Sequence, residues 1–196
     1  MNIACVLLAA GLGTRAGGDK LSRLWHGAPL IAAAAELAAA GPFGKRVAVV
    51  REHDAVVRTA VKNAGLFETV NPAPGEGITS SLKLGLAAVT EGETPDGVLF
   101  LVADQPQLKP ETIAAMCAAF ETAPGCILRP QSPEGKTGNP VLFPKDFFGE
   151  LAELTGDMGG KQVVHRHPEC VRFVPCGAEE LADLDTALDF GRADGV

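Results

Sequence analysis

Short, continuous apolar runs alternate along this chain with segments of helical period, and no other feature of the sequence restricts its fold so strongly. The runs fall at Ile3–Leu8, Arg46–Val50, Val98–Ala103, Cys126–Arg129, Val141–Phe143 and Val171–Val174, and most lack the every-second-residue polarity of a half-exposed strand. Strands of this kind are covered on both faces, the situation of a parallel sheet. Between them, Ile113, Met116, Cys117 and Phe120 recur at i, i+3, i+4 and i+7, as do Val57, Ala60, Val61 and Ala64. Asp54 is placed to cap the second of these helices and Gly65 to end it. Pro110 opens the first, and Pro124-Gly125 follows it. A third helix is expected over Pro29 to Ala40, with Leu30, Ala33, Ala34 and Leu37 inward and Gly41-Pro42 as its stop. The alternation predicts a three-layer α/β fold, a mainly parallel twisted sheet with helices on both faces. No repeat or low-complexity linker interrupts the 196 residues, so a single domain spanning 1–196 is expected.

Charge and cysteine usage narrow the function classes. Lys and Arg number 17 against 24 Asp and Glu, and no basic block supplies a phosphate-tracking stripe, which argues against nucleic acid as a partner. The apolar stretch from Ile3 to Ala10 is too short to cross a bilayer and follows no basic segment of the secretory kind; no membrane association and a cytoplasmic location are the expectation. Cys5, Cys117, Cys126, Cys170 and Cys176 are odd in number and form no Cys-x-x-Cys pair, so reduced thiols fit better than a disulfide framework or structural zinc. Cys117 and Cys126 lie in apolar periods and read as core. The Pro- and Gly-rich stretches Asn71–Gly77 and Pro130–Pro140 read as functional loops at strand ends, where open α/β sheets bind ligands.

The sharpest local signal follows the first strand: Leu8-Ala9-Ala10-Gly11-Leu12-Gly13-Thr14-Arg15-Ala16-Gly17-Gly18-Asp19-Lys20. Its glycines permit positive φ and a close backbone approach to an anion, and Arg15 and Lys20 add a guanidinium and an ammonium suited to phosphate oxygens. The bland reading is a glycine-rich surface loop with two incidental cations. A Walker loop is excluded, because Lys20 stands between Asp19 and Leu21 and not in a Gly-Lys-Ser/Thr step. A dinucleotide fingerprint maps only weakly onto Gly11, Gly13 and Ala16, and the acidic residue expected about twenty positions on falls near Glu36, inside an Ala-rich helix.

Leu8-Ala9-Ala10-Gly11 followed by Arg15-x-Gly17-x-x-Lys20 resembles the signature of nucleotidyltransferases of the glycosyltransferase-A-like α/β fold, and within them the molybdenum-cofactor cytidylyltransferases. Related guanylyltransferases usually carry Gly at the third place, where this chain has Ala10, which favours cytosine. The family usually has Met where this chain has Ala16. The resemblance continues through segments 76–81, 104–106, 138–143, 156–161 and 183–186. It implies Leu8, Ala9, Ala10, Gly11, Gly13, Thr14, Arg15 and Lys20 around the nucleotide, with Arg15, Lys20 and Asp104 acting on the phosphates.

Asp104 ends an apolar run and stands at a strand terminus, a place for Mg²⁺ held by a carboxylate and substrate phosphates. The resemblance pairs it with Asp185 as the second magnesium ligand. Alternatively, Asp104 caps the helix after Pro110, and Asp185 or Thr186 caps a last helix. The resemblance brings segment 76–81 to the base and ribose and so implies Thr79, Ser80 and Ser81 as candidates for the cytosine edge; the plain reading is that they cap their own helix. Gly138-Asn139-Pro140-Val141 and Gly156-Asp157-Met158-Gly159-Gly160-Lys161 match family segments facing the acceptor, with Asn139 and Lys161 as contacts; a solvated lysine at a helix start is the plain reading of Lys161. His165, His167 and Cys170 offer transition-metal donors without a fourth ligand.

The implied activity is transfer of CMP from CTP to the phosphate of a molybdopterin-type acceptor, with Mg²⁺ as cofactor and pyrophosphate released. A molybdenum hydroxylase client or its maturation factor is an implied partner. Another phosphorylated acceptor, an NAD(P)-dependent oxidoreductase and a non-catalytic maturation partner are the competing readings.

Overall fold

The computed structural model describes residues 1–13 and 19–184. Strand β1 (Ile3–Leu8) is buried along almost its whole length. A small hairpin follows, β2 (Leu24–Trp25) and β3 (Ala28–Pro29), with Trp25 opposite Ala28. Its two-residue turn, His26-Gly27, has positive φ at both positions (50° and 82°), the handedness that matches strand twist. The chain then alternates as expected through α1 (Leu30–Ala40), β4 (Lys45–Arg51), α2 (Ala55–Asn63), β5 (Phe67–Asn71), α3 (Ile78–Thr90), β6 (Gly97–Val102) and α4 (Pro110–Thr122). It ends its described part with β7 (Ile127–Gln131), β8 (Val141–Pro144), the short helices α5 (Phe148–Ala152) and α6 (Lys161–Arg166), and β9 (Val171–Pro175).

The large sheet has the order β5-β4-β1-β6-β8-β7-β9. Pairings β5/β4, β4/β1, β1/β6 and β7/β9 are parallel, and β8 alone runs against its neighbours β6 and β7. Alternate strand residues feed two separate cores. Cys5, Leu7, Ala48, Val50, Leu99 and Leu101 meet α1, α2 and α4 through Leu30, Ile31, Val57, Val61, Met116 and Phe120. Ala4, Val6, Val47, Val49 and Phe100 meet α3, α5 and α6 through Leu82, Leu86, Leu151 and Val163. This is the three-layer α/β fold, with a mainly parallel sheet and helices on both faces, that the sequence pattern predicts.

Helix α3 lies unusually close to the sheet. A Cβ on its Gly85 would stand 2.3 Å from Val6 Cγ1 and 3.1 Å from Val49 Cγ2, so only glycine fits there. Three details depart from the sequence reading. Strand β5 and the β2/β3 hairpin carry no continuous apolar run, and β5 is an edge strand whose Phe67 and Glu68 are exposed. On α1 the inward stripe is broader, with Ile31, Ala35 and Ala38 buried and Ala33 half-buried. Among the described residues no helix is long and apolar enough to cross a membrane.

Candidate functional site

The parallel pairing of Leu8 with Val102 sets the ends of β1 and β6 side by side, so the glycine-rich loop and the Ala103-Asp104 segment leave the sheet together. Crossovers diverge to either side of β1 here, the point where open α/β sheets hold ligands. A cavity of about 420 Å³ opens at this place, bounded by Leu8, Ala10, Gly11, Leu12, Gly13, Lys20, Asp104 and the start of α3. Lys20 returns to it on a single 3₁₀ turn after Asp19, whose backbone is left-handed (φ 45°). Its ammonium donates to Asp104 Oδ2 at 2.9 Å. Lys20 is only 7% exposed, so its charge depends on partners of this kind.

The stem of the loop is tied to strand β4. Arg51, at the end of β4, holds Asp54 at 2.5 Å and Asp19 at 3.2 Å, and Asp54 also caps α2 by accepting from Val57 N. Burial alone pulls the Arg51 guanidinium down; the hydrogen bonds and charges of Asp54 and Asp19 outweigh it, so its pKa stands above the ordinary arginine value.

The cavity gathers several of the expected site residues: Leu8, Ala10, Gly11, Gly13, Lys20, Ser81 and Asp104 line it. Others point elsewhere. Ala9 is fully buried in the core, with its N–H bonded to Val49 O at 2.9 Å. Thr79 accepts from Gly159 N at 3.2 Å, and Ser80 donates to Gly77 O while accepting from Asn71 Nδ2, both at 2.9 Å. Neither caps α3, whose N-cap is Gly77. Asn139 is half-buried in the loop between β7 and β8, beyond the cavity lining, and is joined to Pro140 by a cis peptide bond. Lys161 is exposed at the first position of α6. Thr14, Arg15 and Asp185 lie outside the described residues.

Asp104 does not cap α4. Glu180, buried in the 3₁₀ turn Glu179–Leu181, takes that place, accepting from Lys109 N at 3.0 Å and from Thr112 Oγ1 at 2.6 Å. The same C-terminal segment continues along the Asp104 loop: Gln105 Nε2 donates to Asp183 Oδ1 at 2.8 Å, and Leu184 N to the Asp104 carbonyl at 3.0 Å. No local sequence signal marks Glu180 or Gln105 for this work. Asp157 is a further cavity residue; the Gly-Asp-x-Gly-Gly-Lys segment pointed to its loop but not to this side chain.

His167, Glu169 and Cys170 do converge, their ligand atoms within 4.8 Å of one another, on a turn away from the cavity. Glu150 already holds His167 Nε2 at 2.8 Å, and His165 stands exposed outside the group. Burial, then Glu169, raises the Cys170 thiol, which favours its protonated form over a ligating thiolate.

A family of proteins described as the MobA-like NTP transferase domain has a sequence model that matches residues 5–171. Among curated proteins, 2-C-methyl-D-erythritol 4-phosphate cytidylyltransferase of Cereibacter sphaeroides is 35% identical over 130 residues, which is 64% of this chain and 56% of that protein. The chain spans about half the length of the curated relatives it matches. Among solved structures, Rv0371c of Mycobacterium tuberculosis is 28% identical with a TM-score of 0.82, over 98% of this chain and 97% of that one. A structure of Rv0371c in complex with manganese superimposes with a TM-score of 0.77 over the whole of both chains, again at 28% identity.

Proposed function

The chain belongs to the MobA-like NTP transferase domain family, and from that membership we propose that it is a nucleotidyltransferase that moves CMP from CTP onto a phosphorylated acceptor, with a molybdopterin-type phosphate as that acceptor. The observation that carries this reading is the Lys20–Asp104 pair, placed in a cavity beside Gly11 and Gly13 where β1 and β6 end. The cavity has the size of small-molecule sites.

In the proposed reaction an acceptor phosphate oxygen attacks the α-phosphorus of CTP, the bond to the β-phosphate breaks, and pyrophosphate departs. No covalent bond to the protein is required, so positioning and charge carry the catalysis. Backbone amides of the Gly11–Gly13 segment face the anion, and the Lys20 ammonium offsets charge gathering on the leaving pyrophosphate. Asp104, about a third exposed at its side chain, presents the carboxylate oxygens that a hard divalent cation needs, and together with Asp185 would hold Mg²⁺. When bound, that ion would supply charge neutralisation at the phosphates. Ala10 in place of a glycine, and the cytidylyltransferase relatives, support cytosine as the base. A molybdenum hydroxylase or its maturation factor would then receive the product.

The Cereibacter relative favours a second acceptor, 2-C-methyl-D-erythritol 4-phosphate. Pyrophosphate release measured with CTP and Mg²⁺ separates the two. Turnover with a molybdopterin-type acceptor is expected; turnover with methylerythritol phosphate alone would reassign the acceptor, and turnover with another nucleotide in place of CTP would overturn the cytidyl assignment.

A further inference from the structure

The start of α3 forms a second wall of the cavity, and it carries a charge that the phosphate chemistry does not use. Pro74, Gly75, Gly77 and Ile78 make this wall uncharged and poor in side chains, and Asp157 reaches it from the loop before α6. With the triphosphate drawn to Lys20 and the glycine loop, the base has this wall left to occupy.

Asp157 is held there firmly. Its Oδ1 accepts from Ile78 N at 2.9 Å, and a Cβ on Gly77 would lie 1.9 Å from the same oxygen, so the carboxylate sits flush against the Gly77-Ile78 peptide. Gly77 has a φ of 84°, a left-handed conformation that keeps the strip of backbone bare. Among the described residues Oδ2 takes no hydrogen bond, and Asp157 is exposed on the cavity. An ionised carboxylate only accepts hydrogen bonds. A base seated against it therefore needs a donor at its edge. Cytosine has one in its exocyclic N4 amine, whereas uracil presents the O4 acceptor at the same place.

We propose that Asp157 reads the exocyclic amine of the base and thereby selects CTP over UTP. This rests on the reading of the cavity as a pyrimidine nucleoside triphosphate site. A charged hydrogen bond gained with cytosine and an acceptor clash with uracil make the selection roughly 10- to 100-fold in affinity.

The test is calorimetric binding of CTP, UTP and inorganic tripolyphosphate, each with Mg²⁺, to the wild type, Asp157→Asn and Asp157→Ala. The asparagine keeps an oxygen for Ile78 N and turns an amide donor into the cavity, so its CTP-to-UTP affinity ratio should fall below one, more than tenfold beneath that of the wild type, with tripolyphosphate affinity unchanged. The alanine should lose the discrimination without reversing it. An unaltered ratio in a folded Asp157→Asn protein, or a wild type that binds CTP and UTP equally, would overturn the assignment of Asp157 and leave the nucleotide site standing. A wild type that binds neither CTP nor tripolyphosphate would overturn both.

Discussion

At the residue scale the cleft turns on how a lysine can be both charged and nearly shut off from water. Lys20 is 7% exposed, and Asp104 stands 2.9 Å from its ammonium on the solvent side of the pair. Deleting either charge has two separable consequences, one for stability and one for chemistry. Asp104→Asn removes a charged partner of a buried cation, which costs about 1–3 kcal/mol, toward the lower end because a third of the Asp104 side chain already meets water. It also removes the carboxylate proposed to hold Mg²⁺, so metal-dependent turnover should drop by at least about a hundredfold while circular dichroism shows the fold retained. Near-wild-type activity in that variant would take Asp104 out of the metal site. Lys20→Ala is expected to act on the outer phosphates, and the comparison that reports it is CTP against CMP. Affinity for the triphosphate should fall much further than for the monophosphate, and equal losses would contradict the assignment. Both residues were legible in the sequence because each sits beside a signal of its own, Asp104 at the end of an apolar run and Lys20 at the end of a glycine-rich loop. The pairing between them, across 84 positions, was not.

Among the elements, α3 shows two opposed effects whose sizes decide the outcome. Glycine inside a helix ordinarily costs about 1 kcal/mol relative to alanine, so Gly85→Ala taken alone should stabilise. Here the added methyl group meets Val6 at 2.3 Å and Val49 at 3.1 Å, branched side chains fixed on the central strands, and overpacking costs about 1–3 kcal/mol. The packing effect is the larger, so urea unfolding should find Gly85→Ala less stable than the wild type; a gain would mean that α3 rides up from the sheet without penalty. The ends of α3 and α4 carry a related lesson. Sequence reading looks for caps within a few residues, and it located Asp54 on α2 correctly. The first turns of α3 and α4 are instead satisfied by Asp157 and Glu180, 79 and 71 positions away, from segments with no regular pattern. Glu180→Ala should therefore lower stability by about 2 kcal/mol, through the lost cap and the stranded Thr112 hydroxyl, and a loss below about 0.5 kcal/mol would show that solvent replaces it. Strand β5 escaped notice for a different physical reason. As an edge strand it buries little of Phe67 and Glu68, so nothing selects the continuous apolar run that marks β1, β4 and β6.

At the scale of the whole molecule, the arrangement that puts the cleft at the ends of β1 and β6 also puts β1 at the centre of the protein, sheathed by both cores, and that placement makes stability depend on alkaline pH. Cys5 lies fully buried on β1, and Cys117 lies buried on α4 within the same core. Burial first, and then the neighbouring Cys117, pushes the Cys5 thiol far up from its ordinary value of 9.0; burial and then Glu121 push Cys117 up to about 11. In the unfolded chain both thiols ionise near 9. Below that pH the two states bind the same thiol protons and these groups add no pH dependence. Above it the unfolded chain has released protons that the native protein retains, so the slope of unfolding free energy against pH is negative. The stability associated with the neutral thiols is thus complete below pH 9, is lost as pH rises from 9 to about 11 for Cys117, and goes on falling beyond that for Cys5. Urea unfolding at pH 7, 9 and 10.5 should show the wild type weakening over the upper interval. A variant combining Cys5→Ala and Cys117→Ala should start lower at pH 7, because it leaves small cavities, yet lose distinctly less between pH 9 and 10.5. If its decline over that interval parallels the wild type, the alkaline loss belongs to other groups and the buried thiols are silent.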